Sequence, residues 1–157
     1  MTITLICIGK TDDKALKTLT QEFEKRLSRF VKYRVKIIPD LKNRKKLSES
    51  EQKIEEGKLI LNQIKPSDFM VLLDENGNEF SSLKFANWMQ KQMNKGLKNL
   101  VFVVGGPYGF SEDVYAASKA KVSLSKMTFS HQMIRLFFTE QLYRGFSILN
   151  NLPYHHQ

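Results

Sequence analysis

Residues 101–131, VFVVGGPYGFSEDVYAASKAKVSLSKMTFSH, decide the fold class of this chain. They open within an apolar, β-branched run at 100–104, which is too short for a helix and predicts a buried strand. A second β run at 122–124 is followed by the polar segment 125–130 and then by a helix. Two strand ends with loops behind them are where an open α/β sheet binds a small ligand. The residues alone leave open the alternative that both loops are only tight turns of a parallel sheet.

The first of these loops, Gly105-Gly106-Pro107-Tyr108-Gly109, favours a ligand that is held by backbone groups. Glycine permits positive φ and lets the backbone approach a ligand with no Cβ in the way. The loop lacks the GxGxxG spacing of dinucleotide-binding proteins, and the chain has no P-loop lysine. Neither a nucleophile–base arrangement nor a paired carboxylate motif is recognisable, so the catalytic groups stay undetermined at this point.

Strands and helices alternate through the rest of the chain. Further strands are predicted at 3–8, at 34–39, where the pattern is typical of an edge strand, and at 69–73, followed by a turn at 74–77. One predicted helix starts after a capping Asp12 or Asp13. A second helix starts at a Ser48–Glu51 capping box and runs to about residue 64, and a third spans 83–93. This alternation predicts a single α/β domain, residues 1–157, with a mostly parallel sheet flanked by helices.

The last predicted helix, from His131 to about Asn150, is apolar over about half of its circumference. Such a helix must be covered by more than one neighbour, so it is either central to the domain or part of a dimer interface. Arg135 lies on its apolar side and is expected to meet an anion or a carboxylate. His131 shares that face, and a backbone-satisfied histidine and a ligand contact are equally good interpretations of it.

The charge of the chain is formally +9 and is unevenly distributed. Residues 10–46 contain 13 lysines and arginines against 5 acidic residues, a net charge of +8. A polyanion is therefore a plausible partner for the N-terminal half, and a solvated basic surface that only aids solubility is the alternative. Cys7 lies in an apolar strand, no Cys/His cluster has metal-ligand spacing, and the N-terminal apolar run is too short for a signal peptide or membrane span. We expect a soluble, cytoplasmic protein without a metal.

Five segments combine into a recognisable pattern: IGK at 8–10, VGGPYG at 104–109, SLSKMTFSH at 123–131, EQLYR at 140–144 and PYH at 153–155. Together they resemble the ribosomal RNA large-subunit methyltransferase H family, which belongs to the SPOUT superfamily of knotted methyltransferases. The resemblance covers the whole chain. Ser130 stands where the family usually has proline, which could loosen the entry to the last helix, and Gly145 stands where it usually has alanine.

The resemblance implies S-adenosylmethionine as methyl donor and N3 of a pseudouridine in helix 69 of 23S rRNA, within the ribosome or large subunit, as acceptor. It also implies a homodimer and a C-terminal trefoil knot that buries the last helix. Carried over by position, the cofactor contacts are Leu73, Gly106, Ser125, Lys126, Met127, Thr128, Phe129 and Ser130.

Methyl transfer to a ring nitrogen requires that the N3 proton leave, so a base or a polarising hydrogen bond is needed. His155, Tyr154 and Arg144 are the candidate catalytic residues, with Arg144 more suited to clamping a phosphate or a uracil carbonyl. The tail that contains Tyr154 and His155 is either frayed or held at the site. The rival hypothesis is a non-catalytic, basic RNA- or ribosome-binding module on the same fold.

Overall fold

The computed structural model describes residues 1–155, and its framework is a five-stranded sheet in which every strand pair is parallel. The strand order is β2-β1-β4-β3-β5. The strands are β1 (Thr2–Ile8), β2 (Lys32–Ile38), β3 (Phe69–Glu79), β4 (Asn99–Val104) and β5 (Ala120–Ser123). The predicted parallel α/β sheet is confirmed, and β2 lies at an edge, as its sequence pattern indicates.

Five α-helices cover the two faces of the sheet. They are α1 (Lys14–Leu27), α2 (Glu49–Leu61), α3 (Ser82–Asn94), α4 (Glu112–Ala117) and α5 (Met133–Leu149), with a 3-10 helix at Arg44–Lys46. Alternate side chains of a strand point to opposite faces. Accordingly, Leu100 and Phe102 of β4 belong to a core with α1, α3 and α5, whereas Val101 and Val103 belong to a core with α2 and α4.

The helix starts follow the capping signals in the sequence. The carboxylate of Asp13, and not that of Asp12, accepts a hydrogen bond from the amide of Leu16 at 2.9 Å. Ser48 and Glu51 form the predicted capping box at the start of α2. These side chains satisfy amides that the first helical turn leaves without intrahelical partners.

Helix α5 packs against both α1 and α3, so the prediction of a helix covered by more than one neighbour is confirmed. Phe138 and Leu142 are completely buried on it, and Phe146 is nearly so. The helix begins at Met133, two residues after the predicted start, and His131 therefore lies in the preceding turn.

The predicted turn at 74–77 is wrong. Strand β3 continues through Asn76 and Gly77 to Glu79, and its pairing with β5 shifts register between Leu73 and Asn78. A Cβ on Gly77 would lie 2.7 Å from backbone atoms of Val122 on β5. Glycine therefore permits a bulged strand to pass close to its neighbour, which a two-residue Asn-Gly signal in the sequence does not distinguish from a turn.

Candidate active site

A cleft of about 650 Å³ lies beside the bulge of β3 and the C-terminal ends of β4 and β5. This is the edge at which both loops of the decisive segment were expected to meet. The bulged part of β3 contributes residues 73–76 to its lining, and the end of β4 with the loop after it contributes 104–110. The end of β5 with the segment after it contributes 122, 124, 125 and 127–131, and Tyr115 and Ile134 complete the lining. Seven of the eight predicted cofactor positions line the cleft, namely Leu73, Gly106, Ser125, Met127, Thr128, Phe129 and Ser130. Lys126 does not.

The glycine loop is compact and is supported from behind. The amide of Gly109 donates to the carbonyl of Gly106 at 3.1 Å, and Gly109 has a φ of +80°, in the left-handed region that favours glycine. A Cβ on Gly106 would overlap with the carboxyl group of Glu56 on α2. The sequence suggests that glycine at position 106 leaves room for a ligand. The structure corrects this, because the absent side chain leaves room for Glu56.

Glu56 is a buried carboxyl group with incomplete hydrogen bonding. It is 3% exposed, its Oε1 accepts from Nε2 of Gln52 at 2.8 Å, and its Oε2 has no hydrogen-bond partner among residues 1–155. Burial raises the pKa of Glu56, and the nearby Asp40 carboxylate adds to this, while the hydrogen bond from Gln52 and the charge of Arg44 oppose it. This group approaches the glycine loop at Gly106 without lining the cleft, and nothing in the sequence pattern marks it.

The segment after β5 is held by its own serines. Ser123 Oγ donates to the carbonyl of Ser125 at 2.9 Å, and Ser125 Oγ accepts from the amide of Met127 at 2.9 Å. Ser130 Oγ accepts from the amide of Met133 at 3.2 Å, and its carbonyl accepts from Ile134. Ser130 thus ties the segment to the first turn of α5, instead of loosening the entry as its departure from proline suggested.

The charged side chains that line the cleft are acidic. Asp74 and Glu75 both line it, whereas no lysine or arginine does among the described residues. Asp74 Oδ2 accepts from the phenol of Tyr115 at 2.5 Å, and its Oδ1 accepts from the amide of Asn76 at 2.7 Å. His131 lines the cleft with an exposed side chain.

Arg135 does not meet the expected anion or carboxylate. It is 3% exposed, its Nη2 donates to the carbonyl of Ile8 at 2.6 Å, and its Nη1 donates to Thr11 Oγ1 at 3.1 Å. Neutral oxygens from the end of β1 and from the loop after it therefore bind two N–H groups of the guanidinium, and Arg135 ties α5 to the end of β1 and to that loop. The Nε of Arg135 has no hydrogen-bond partner among residues 1–155.

The three predicted catalytic residues lie together: Arg144 is on α5, and Tyr154 and His155 belong to the tail that packs back against this helix. The phenol of Tyr154 donates to Glu140 Oε1 at 2.9 Å, and the guanidinium of Arg144 lies 4.8 Å from the Tyr154 ring centre. Arg144 pairs with the same Glu140, and its Nη1 is 3.4 Å from Nδ1 of His155. Residues 154 and 155 are therefore not frayed, but they are held against α5 and not at the cleft as the second alternative expected. His156 and Gln157 lie outside the described residues.

The position of this tail cluster is the main departure from expectation. The tail packs against α5 at Glu140 and Arg144, through Tyr154 and His155. The cleft, by contrast, is lined by only the start of α5, at Ile134. None of the three predicted catalytic residues lines the cleft of its own chain. Burial first, and then the hydrogen bond to Glu140, raise the pKa of Tyr154 to about 12, so its phenol remains a hydrogen-bond donor at neutral pH.

Known proteins match this chain over its whole length. A family model described as a predicted SPOUT methyltransferase matches residues 1–155. A protein of Christiangramia forsetii named ribosomal RNA large subunit methyltransferase H is 61% identical over 157 residues. Proteins of the same name from Flavobacterium psychrophilum and Flavobacterium johnsoniae are each 62% identical, and all three alignments cover 100% of both chains. The chain therefore belongs to the ribosomal RNA large subunit methyltransferase H family of SPOUT methyltransferases.

Proposed function

We propose that this protein methylates N3 of a pseudouridine in helix 69 of 23S rRNA, within the ribosome or its large subunit, using S-adenosylmethionine. The observation that carries the proposal is the cleft at the strand ends, lined by backbone-rich loops and carboxylates. The full-length similarity to relatives named as large-subunit rRNA methyltransferases supports methyl transfer and an rRNA substrate. An rRNA substrate would place the protein in the cytoplasm, with the ribosomes. Among the described residues, no helix is long and apolar enough to cross a membrane.

The chemistry of the cleft suits this methyl donor. S-adenosylmethionine carries a cationic sulfonium and no phosphate, so Asp74 and Glu75 complement it and a lysine or arginine is not needed. Leu73, Gly106 and residues 125–130 would hold it, mainly through backbone amides and carbonyls; for Lys126 this rests on the family resemblance alone. When bound, the sulfonium supplies an activated methyl group, and the protein's contribution is to position the acceptor nitrogen behind it. No group of three or more potential metal ligands occurs among the described residues.

We assign the tail residues to the acceptor side of the reaction. Tyr154 stays protonated at neutral pH, so it can stack on a base or donate a hydrogen bond, but it does not serve as the base. Histidine is the side chain that exchanges protons near neutral pH, which leaves His155 as the candidate for accepting the N3 proton. Arg144 carries the fixed charge that would bind a phosphate or a uracil carbonyl.

A homodimer would bring these groups to a cleft. The tail of one chain lies away from its own cleft, so the chemistry we assign to it needs a second copy to supply it. Phe129 and Phe137 form an aromatic pair, with ring centres 5.1 Å apart and each about two-fifths exposed, beside the cleft. A C2 dimer that covers this pair would bury apolar surface, and we propose that it also brings the tail of each chain to the cleft of the other. We further propose that the C-terminal third is threaded as the trefoil knot of the superfamily.

Mapping of rRNA methylation by mass spectrometry, in cells with and without this protein, tests the proposed activity. A methyl group on N3 of one helix 69 pseudouridine should be lost on deletion and restored by the wild-type gene. Unchanged methylation of helix 69 would contradict the proposal. Light scattering should give the mass of two chains at micromolar concentration, and a monomer would remove the dimer from the mechanism.

The rival function, a binding module that has lost methyl transfer, is separated by calorimetry. A methyltransferase must bind S-adenosylmethionine, whereas a pure RNA-binding module has no use for it. Binding of ribosomal subunits without any binding of S-adenosylmethionine would favour the module.

A further inference from the structure

Asp74 is held in one orientation within the cleft by donors from two different elements. The Tyr115 phenol comes from α4 and binds Oδ2, and the Asn76 amide comes from the bulged part of β3 and binds Oδ1. Each carboxylate oxygen accepts one hydrogen bond and retains capacity for another. Burial, and next the hydrogen bond to Asp74, raise the pKa of Tyr115, so the phenol stays a donor. The methyl transfer described above uses Asp74 only as a negative charge in the cleft and makes no use of Tyr115.

The surroundings of Asp74 leave its charge largely uncompensated on the cleft side. Glu75 also lines the cleft, and Glu112 on α4 is close enough to act on Tyr115. The ammonium of Lys121 lies 5.5 Å from the Tyr115 ring centre, but Lys121 does not line the cleft. In a protein of net charge +9, this cleft is therefore a local site of negative charge.

We propose that Asp74 makes the cleft selective for the cationic methyl donor over its neutral product, S-adenosylhomocysteine. The inference rests on the proposed function. In the transfer, the bond from sulfur to the methyl carbon breaks and its electron pair stays on sulfur, while the N3 nitrogen bonds the methyl carbon and releases its proton to a base. The sulfonium thereby becomes a thioether, and the ligand loses one positive charge. An electrostatic attraction present before transfer is absent afterwards, so the product is held less strongly and can be exchanged.

The test compares the affinities of the two ligands in the intact protein by calorimetry. Asp74→Asn keeps the shape of the side chain and removes its charge. It should lower the affinity for S-adenosylmethionine by about tenfold, the order expected of one charge pair in a partly buried site. It should lower the affinity for S-adenosylhomocysteine by much less. Glu79→Gln is the matched control, because it changes the net charge equally from the same strand but does not line the cleft; it should leave both affinities unchanged.

The wild-type protein provides a second measurement that needs no variant. Its preference for the donor over the product should fall as KCl is raised from about 0.05 M to about 0.5 M, because salt screens the charge of Asp74. Equal losses for both ligands in Asp74→Asn, or no loss for either, would overturn the role of charge, as would a salt-independent preference. A wild-type protein that binds neither ligand would instead contradict the proposed function itself.

Discussion

At the scale of single residues, the tail shows how a few contacts convert a flexible terminus into a candidate catalytic group. Glu140 accepts from both Tyr154 and Arg144, and Arg144 in turn approaches Nδ1 of His155. Tyr143 packs edge-on against Tyr154 with ring centres 4.7 Å apart. Because these contacts already order the terminal segment, binding of the proposed substrate would cost less conformational entropy.

The first prediction concerns His155. His155→Ala should lower the single-turnover rate of methylation on large ribosomal subunits by about 10²-fold, the effect of removing a general acid–base group. Affinity for S-adenosylmethionine should hardly change, because the proposed cofactor contacts lie on the strand-end loops. Tyr154→Phe is the control: it keeps the ring against Tyr143 and Arg144 and should cost only a few-fold. A near-normal rate in His155→Ala would redirect the search for the base to His131.

The second prediction concerns Glu56, the buried carboxyl group that packs against Gly106 of the glycine loop. The pKa of Glu56 is raised in the folded protein, so the folded state binds more protons than the unfolded state between the ordinary pKa and the raised one. The stability that this group contributes is therefore greatest at low pH and falls as pH rises through that window. Glu56→Gln cannot titrate, so the free energy of unfolding of the wild type relative to this variant should fall from about pH 4.5 towards neutrality. Urea denaturation of both proteins at several pH values measures it, and a pH-independent difference would contradict it.

At the scale of elements, two glycines show that the same substitution has different consequences in a strand and in a helix. A Cβ on Gly77 would press on the backbone of β5, which cannot move without breaking the sheet, whereas one on Gly145 would overlap with the flexible end of Met89. Gly77→Ala should therefore destabilise the protein by about 1–3 kcal/mol, as overpacking does. Gly145→Ala should be nearly neutral, because the gain in helix propensity of about 1 kcal/mol offsets the displacement of Met89. Urea denaturation of both variants is the measurement, and an equal loss in the two would show that backbone proximity is not the cause.

The elements also explain why the cleft is where it is. Asp74 and Asn76 lie in the bulge of β3, next to the end of β5. Ser130 joins the loop after β5 to the start of α5. Arg135 fixes α5 to the end of β1 and to Thr11 in the loop after it. The cleft is therefore bounded by segments that are each anchored to a buried strand or helix, which is what a preorganised binding site requires.

At the scale of the whole molecule, positive charge and the cleft are separated. The excess of lysine and arginine in residues 10–46 lies on α1, on the exposed edge strand β2 and on the loop with the 3-10 helix. On β2, Lys32, Arg34 and Lys36 are all exposed. A polyanion bound along this edge would use contacts distinct from those that hold the methyl donor.

This separation predicts a large substrate. The excess of basic residues lies along one edge of the sheet, so the affinity of this protein for isolated RNA should be weak and sensitive to salt. Methylation of the assembled large subunit should be at least about 10²-fold more efficient than that of a short helix 69 stem-loop, because several surfaces then bind together and raise the effective concentration of the acceptor. Comparison of kcat/KM for the two substrates at one salt concentration tests this, and equal values would contradict it.

The sequence by itself determined the parts of this protein that depend on neighbouring residues. The β-branched runs, the capping box of Ser48 and Glu51, and the loops after strand ends are local patterns. They were sufficient to predict a parallel α/β sheet with a ligand-binding cleft at the loops 105–109 and 125–130. The motifs of the C-terminal third were sufficient to identify the family. Local patterns work here because strand pairing and capping depend on spacing along the chain.

Only the tertiary structure decided which residues that are distant in sequence meet. Arg135 bonds to a carbonyl 127 residues away, Asp74 accepts from a phenol 41 residues away, and Gly106 is packed against Glu56. No periodicity or motif connects such pairs, because each contact depends on how the sheet brings its strand ends and helices together. For the same reason the extension of β3 past Leu73, which requires Gly77 to pass the backbone of Val122, was not predictable from an Asn-Gly pair.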